Sequence, residues 1–214
     1  MSQPVSISGY GYADEQCDHT HAYLLGVLSR ELDQGRPRPK KVFDLGCGNG
    51  SVAAWLSTRG YEVHGVDPSE SGIALARTHH PDIDLRTGSA YDPLVETFGT
   101  FPYVISLEVV EHLYAPRLFA RCVVDLLEPG GRALISTPYH GYLKNVALAV
   151  SGKMDSHFTA LWDHGHIKFW SRDTIRHLLS EVGLDVLRIH RVGRIPSLAK
   201  SMMVVAEKPR RAAL

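Results

Sequence analysis

The residues able to do chemistry fall into four groups along the chain. In the first, Asp44 stands two positions before the glycine turn Gly46-Cys47-Gly48-Asn49-Gly50, and Ser51 opens a helical pattern. A strand, a glycine turn and a helix start bring backbone N–H groups against a ligand. Glycine is needed there for positive φ and close approach. In the second, Asp67 ends the run YEVHGV, where a carboxylate can accept the two hydroxyls of a ribose. The third is LEVVEHL. If Glu108 begins a helical turn, Glu108, Glu111 and His112 share one face at i, i+3 and i+4, as a base system or as ligands of a divalent cation. The fourth lies in 139–168, where His140, His157, His164, His166, Tyr139 and Trp162 offer imidazole bases and flat aromatic faces.

The turn itself discriminates among nucleotide sites. A dinucleotide fingerprint needs a glycine where this chain has Ser51, and no Gly-Lys-Ser/Thr follows for a triphosphate. Asp44 would repel a pyrophosphate but suits a positively charged amino-acid tail. Cys47 reads as a small side chain beside the ligand rather than a nucleophile.

The elements that must position these groups alternate in type. The stripe Tyr23, Leu24, Val27, Leu28 and Leu32 predicts a helix over 21–32. Strands are expected at 42–45, 61–66, 83–87, 103–107 and 132–136, with helices over 51–59, from Ser69 to before Pro81, and over 116–127. The last of these should bury Leu118, Phe119, Val123 and Leu126, and Glu-Pro-Gly-Gly at 128–131 should turn the chain into the fifth strand. YLKNVALAV reads as a short core-facing helix, with weak contact to a membrane surface as the other reading. Ser171 should cap a helix to Gly183, stapled by Trp170 and Ile175, before strands at 184–190 and 201–207. The alternation implies an α/β fold, a mostly parallel sheet with helices on both faces and ligands at the carboxyl ends of its strands. No internal repeat or second domain is evident.

Bulk properties exclude several classes. Lysine plus arginine number 23 and aspartate plus glutamate 23, so no net charge draws the chain to nucleic acid or to a membrane. Three cysteines without CxxC spacing argue against a disulfide framework or structural zinc, and point to a reducing cytoplasm. No signal peptide or spanning apolar stretch is expected.

Taken in order, VFDLGCGNG, VHGVDPS, ISLEVVEHL and LEPGGRALISTP resemble the class I S-adenosylmethionine-dependent methyltransferases, most closely the ubiquinone-biosynthesis O-methyltransferase branch. The resemblance spans 42–207 and implies a Rossmann-like seven-stranded sheet closed by an antiparallel C-terminal strand pair. Its implied parts are an N-terminal lid and helix (1–40), a cofactor core (41–137), an acceptor-side insertion (138–170) and a closing helix with two strands (171–214). It places Gly46, Cys47 and Gly48 at the methionyl end, with Asp44 supporting the amino group. Asp67 is placed on the ribose, Pro68 beside the adenine, Ser89 and the Ala90 backbone at the adenine amino group, and Leu107 along the methionine. Many relatives have an aspartate where Ser89 stands, and an arginine before the first helix has no equivalent here. Tyr10, Gly11 and Tyr12 would supply a lid.

The acceptor side would use His112, His164 and His166 as catalytic groups. Glu108, Glu111 and His112 match positions that hold a metal in some quinone-pathway relatives; metal-free positioning or base catalysis by His112 is the favoured reading. The expected function is methylation of a small molecule from S-adenosylmethionine, leaving S-adenosylhomocysteine, at a hydroxyl of an aromatic, quinol-like or lipid-linked acceptor. Transfer to nitrogen, sulfur or a sugar hydroxyl, and cofactor binding without catalysis, are the alternatives. Ser51 and Asp44 speak against a dinucleotide oxidoreductase. STPY in place of an Asn-Pro-Pro-Tyr motif, with no basic stripe, speaks against nucleic-acid methylation.

Overall fold

A computed structural model describes residues 19–34, 38–163, 165–193 and 199–210, with side chains from residue 23 onward. The tyrosine pair near the N-terminus, Cys17 and His164 lie outside the described residues. Helix α1 (His19–Asp33) precedes β1 (Lys41–Leu45), α2 (Ser51–Ser57), β2 (Glu62–Asp67), α3 (Glu70–His79), β3 (Asp84–Thr87) and α4 (Leu94–Phe98). Then come β4 (Phe101–Leu107), a 3-10 turn (Val110–His112), α5 (Pro116–Leu126), β5 (Leu127–Pro138), α6 (Tyr142–Val150) and α7 (Met154–Phe158). Helix α8 (Arg172–Glu181) and strands β6 (Asp185–Val192) and β7 (Ser201–Glu207) close the fold.

One seven-stranded sheet results, in the order β3-β2-β1-β4-β5-β7-β6. The first five strands are parallel, and β7 lies antiparallel between β5 and β6. Because side chains alternate along a strand, neighbours in sequence serve opposite cores. Val42, Ile105, Leu134 and Met203 face one side, where α1 to α3 supply Leu24, Leu28, Leu56 and Ile73. Phe43, Val104, Ile135 and Val204 face the other, covered by Phe119, Val123 and Leu126 of α5 and Ile175 and Leu179 of α8. Each helix therefore needs only one apolar stripe, the pattern its sequence carries.

Several expectations are corrected. Leu118 is 47% exposed, on the outer side of α5. Glu128–Gly131 does not turn the chain ahead of the strand. Leu127 pairs with Phe101 and Arg132 with Tyr103, so the segment bulges within β5. The short α4 was not anticipated; it is fixed by buried Leu94 and by Phe98, whose ring packs edge-on to Phe43 at 5.1 Å. Helix α6 is not core-facing. Tyr142, Leu143 and Val150 are 82, 62 and 85% exposed, while the half-buried Lys144 donates from Nζ to the Tyr139 carbonyl at 2.9 Å. Helix α8 begins as expected, with a Ser171–Thr174 capping box and with Trp170 and Ile175 buried in one cluster.

Candidate active site

The glycine turn sits at the carboxyl end of β1, beside the ends of β2 and β4. Its first three N–H groups are already used inside the protein. Those of Gly46 and Cys47 donate to the Val66 carbonyl at 2.8 and 3.1 Å, and that of Gly48 donates to Asp67 Oδ2 at 2.9 Å. The expectation that these donors face a ligand is therefore corrected: the turn is no phosphate cradle. Close approach is still its design. Gly46 has φ +92°, and a Cβ there would collide with the Val109 side chain.

What the turn offers is negative charge. Asp44 is 2% exposed, and its Oδ2 is buried without a hydrogen-bond partner. Burial, and then the nearby charge of Asp67, pushes its carboxyl up to about 7. Asp67 is also raised by burial, against the pull of two backbone donors, Ser69 N at 2.8 Å and Gly48 N at 2.9 Å. Each Asp67 oxygen keeps a second lone pair for a hydroxyl. The helix cap that Asp67 might have been is instead Ser69, whose Oγ accepts from Gly72 N. An orphaned buried carboxylate beside a glycine turn with its donors spent fits a ligand ammonium or sulfonium, and so fits S-adenosylmethionine.

The other residues expected at the cofactor are placed as follows. Leu107 and Cys47 are buried together in one cluster. Burial first, and then Asp44 and Asp67, hold the Cys47 thiol well above its usual range, which removes it as a nucleophile. Pro68 is exposed at the end of β2, and Ala90 is buried in the opposite core. Ser89 is tied into a local turn: its N–H donates to Asp92 Oδ2 at 2.7 Å, and its Oγ accepts from Tyr91 N at 3.2 Å. Sequence reasoning passed over Asp92, although an Asp at i+3 of a Ser turn is a recognisable signal.

On the acceptor side the 3-10 turn after β4 does not form the helical face expected of LEVVEHL. Glu108 has φ +57°, and its carboxylate accepts from Ser136 Oγ at 2.8 Å and Ser201 Oγ at 3.3 Å. Glu111 is fully buried, with both carboxylate oxygens lacking hydrogen-bond partners and Oε1 at 4.0 Å from His166 Nε2. Burial, and then the charge of Glu108, raises its carboxyl well above the usual range. The His112 and His166 rings stand 4.9 Å apart, and Trp162 closes the group at 6.2 and 5.4 Å. The insertion is tied here by backbone, since Ile167 N and Lys168 N both donate to the Glu111 carbonyl at 2.9 Å.

Donor atoms of Glu111, His112 and His166 lie within 4.8 Å of one another, so these three, with His166 in place of Glu108, are the described residues that could share a cation. Burial, and then His112, pushes His166 down to about 4, so it is neutral near pH 7. A second group forms around His140, whose ring lies 5.6 Å from His157, 5.8 Å from Phe158 and 5.1 Å from Phe169. His140 is also pushed down to about 4, chiefly by burial.

A family model described as a methyltransferase domain matches residues 12–189. A ubiquinone biosynthesis O-methyltransferase of Ruegeria pomeroyi is 32% identical over 174 residues, covering 78% of this chain and 69% of the relative. One from a Caulobacter strain is 33% identical over 154 residues, covering 68% of this chain and 60% of the relative. The human mitochondrial enzyme of that name is 31% identical over 153 residues, 68% of this chain and 42% of the relative. Among solved structures, a magnesium protoporphyrin IX methyltransferase from Synechocystis with bound S-adenosylhomocysteine superposes with a TM-score of 0.66 at 20% identity, over 89% of this chain and 83% of that one. That likeness shows the fold. With the family match over most of the chain, it follows that this protein belongs to the methyltransferase-domain family and is a methyltransferase of the S-adenosylmethionine-dependent kind.

Proposed function

We propose that the chain methylates a hydroxyl oxygen of a small aromatic, quinol-like or lipid-linked acceptor. The observation that carries this reading is the pairing, across the ends of β1 and β4, of an orphaned carboxylate with a histidine pair walled by Trp162. The chain's names-in-kind support the acceptor class: the Ruegeria, Caulobacter and human relatives are ubiquinone biosynthesis O-methyltransferases.

Bound S-adenosylmethionine supplies an electrophilic methyl group. Asp44 balances the amino-acid cation, Gly46, Cys47 and Gly48 allow close approach, and Asp67 accepts the ribose hydroxyls. Pro68, Ser89, Ala90 and Leu107 flank the nucleoside and the methionine chain. For the acceptor, Trp162 supplies a flat wall, and His112, beside neutral His166, takes the hydroxyl proton. Orientation at a fixed distance and exclusion of water account for most of the expected rate gain. His164, on the same segment, remains a candidate for the same work. We assign no cation a required role, and take the chain to act in the cytoplasm; no helix among the described residues is long and apolar enough to cross a membrane.

The test is calorimetry with S-adenosylhomocysteine and NAD, then turnover of catechols. Binding of the first and not the second, with turnover that falls about 100-fold in His112→Ala, is expected. Selective NAD binding would overturn the reading. Glu111, His112 and His166 also favour a second reading, in which a divalent cation acidifies the hydroxyl. Activity abolished by a chelator and restored by a divalent metal would select it.

A further inference from the structure

Glu108 is one of two described non-glycine residues with positive φ, and it stands where β4 gives way to the acceptor-side turn. A left-handed backbone is unfavourable for a residue with a Cβ and persists only where its surroundings over-determine it. Here they do. The Glu108 N–H donates to the Ser136 carbonyl at 3.2 Å and to Ser136 Oγ at 3.0 Å. Its carboxylate accepts from the hydroxyls of Ser136 and Ser201 at 2.8 and 3.3 Å. Those serines are 0 and 1% exposed, on β5 and at the start of β7, so the pins come from the rigid centre of the sheet.

The pinned backbone has two consequences, one on each half of the site. Val109 is seated directly over Gly46, where a Cβ would collide with it. The chain then tightens into the 3-10 turn that buries Glu111 and sets His112 against His166. An extended residue at 108 would carry Val109 off the glycine turn and swing the histidine away. Each Glu108 carboxylate oxygen accepts one of the two serine hydroxyls.

We propose that Glu108 is a positioning residue: its carboxylate, held by Ser136 and Ser201, locks the left-handed turn that seats Val109 on Gly46 and His112 beside His166. The assignment rests on the site reading given under the proposed function. It gives the Glu108 carboxylate a structural task, holding the turn in place. It also predicts an unusual order among substitutions, because glycine adopts the left-handed backbone without any pin whereas alanine has neither the freedom nor the carboxylate.

The full chain and its Glu108→Ala, Glu108→Gly and Ser201→Ala variants are compared by calorimetry with S-adenosylhomocysteine, and by kcat and KM on a simple catechol. Alanine should weaken S-adenosylhomocysteine about tenfold and lower kcat more than it raises KM; glycine should recover most of both losses. Ser201→Ala should cost about threefold in the Glu108 background and nothing in the Glu108→Gly background, where no pin is needed. That cycle decides the matter even if Glu108→Ala fails to fold. Glycine as damaging as alanine would mean that the carboxylate itself acts, and alanine equal to wild type would mean that the lock is dispensable; either overturns the proposal. A wild-type chain that ignores S-adenosylhomocysteine overturns the functional reading and this assignment together. Normal wild-type binding with the wrong order of variants overturns this assignment alone.

Discussion

Cofactor affinity should fall with acid, and Asp44 should be the cause. Its carboxyl is raised from an ordinary 3.8 to about 7, first by burial and then by the charge of Asp67. At about 1.4 kcal/mol per pH unit, ionised Asp44 costs the ligand-free fold on the order of 4 kcal/mol. The folded chain holds this proton more tightly than the unfolded chain does. Asp44 therefore makes the ligand-free protein less stable as pH rises from 3.8 to about 7. A cationic amine placed against the orphaned Oδ2 reverses the preference, so binding should expel a proton. With a free-state value of about 7 and a bound value well below it, affinity for S-adenosylhomocysteine should drop about 30-fold between about pH 8 and about pH 5.5. Calorimetry in buffers of different ionisation enthalpy reads both the affinity and the released proton. Asp44→Asn should bind weakly with little pH dependence, and its ligand-free form should melt higher at alkaline pH. A wild-type affinity that stays flat across this range, or an unchanged slope in Asp44→Asn, would refute the argument.

Other outcomes follow from the same geometry. Asp67→Ala orphans the N–H groups of Gly48 and Ser69 as well as the ribose; it should weaken S-adenosylhomocysteine at least about tenfold and cost about 2 kcal/mol in urea unfolding. Gly46→Ala introduces both a strained φ of +92° and a collision with Val109; it should abolish binding in the same titration while leaving far-UV circular dichroism intact. His140, lowered to about 4 from a usual 6.5 by burial and then by Lys144, takes up its proton more readily when unfolded. Stability should therefore fall as pH drops from 6.5 towards 4. His140→Phe, which keeps the stacking on Phe158, should flatten that limb in thermal melts. Glu31→Ala breaks a 2%-exposed carboxylate from Arg188 and His190, a loss of about 2 kcal/mol by denaturant titration, limited because Arg188 can turn to water.

The layered sheet and the place of the glycine turn were legible because local patterns there agree with the tertiary result. Phe43 and Val42 alternate between two cores, Ser69 caps the helix it precedes, and the glycine turn falls where β1 ends. The acceptor side was less legible, since its geometry depends on contacts distant in sequence. No local signal told that Ser136 and Ser201 would hold Glu108 left-handed and so remove it from the face shared by Glu111 and His112. His166 reaches that face only because Ile167 and Lys168 hang from the Glu111 carbonyl. Helix α6 misled in a simpler way. YLKNVALAV has the composition of a buried helix, but Lys144 turns inward to a carbonyl and the apolar side faces out. Periodicity identifies a stripe and not what covers it.

The antiparallel β7 has a bearing on how the molecule is made. Strand β7 is made after both of its partners yet fills an interior slot, pairing with β5 on one flank and β6 on the other. Until it arrives, β5 and β6 each present an open row of amides and carbonyls, and Ser201, one of the two hydroxyls that hold Glu108, is missing. Nascent chains should therefore stay assembly-incompetent until β7 is free of the exit tunnel, dependent on chaperones in the meantime, and gain the methyl-donor site and the acceptor face in one closing step.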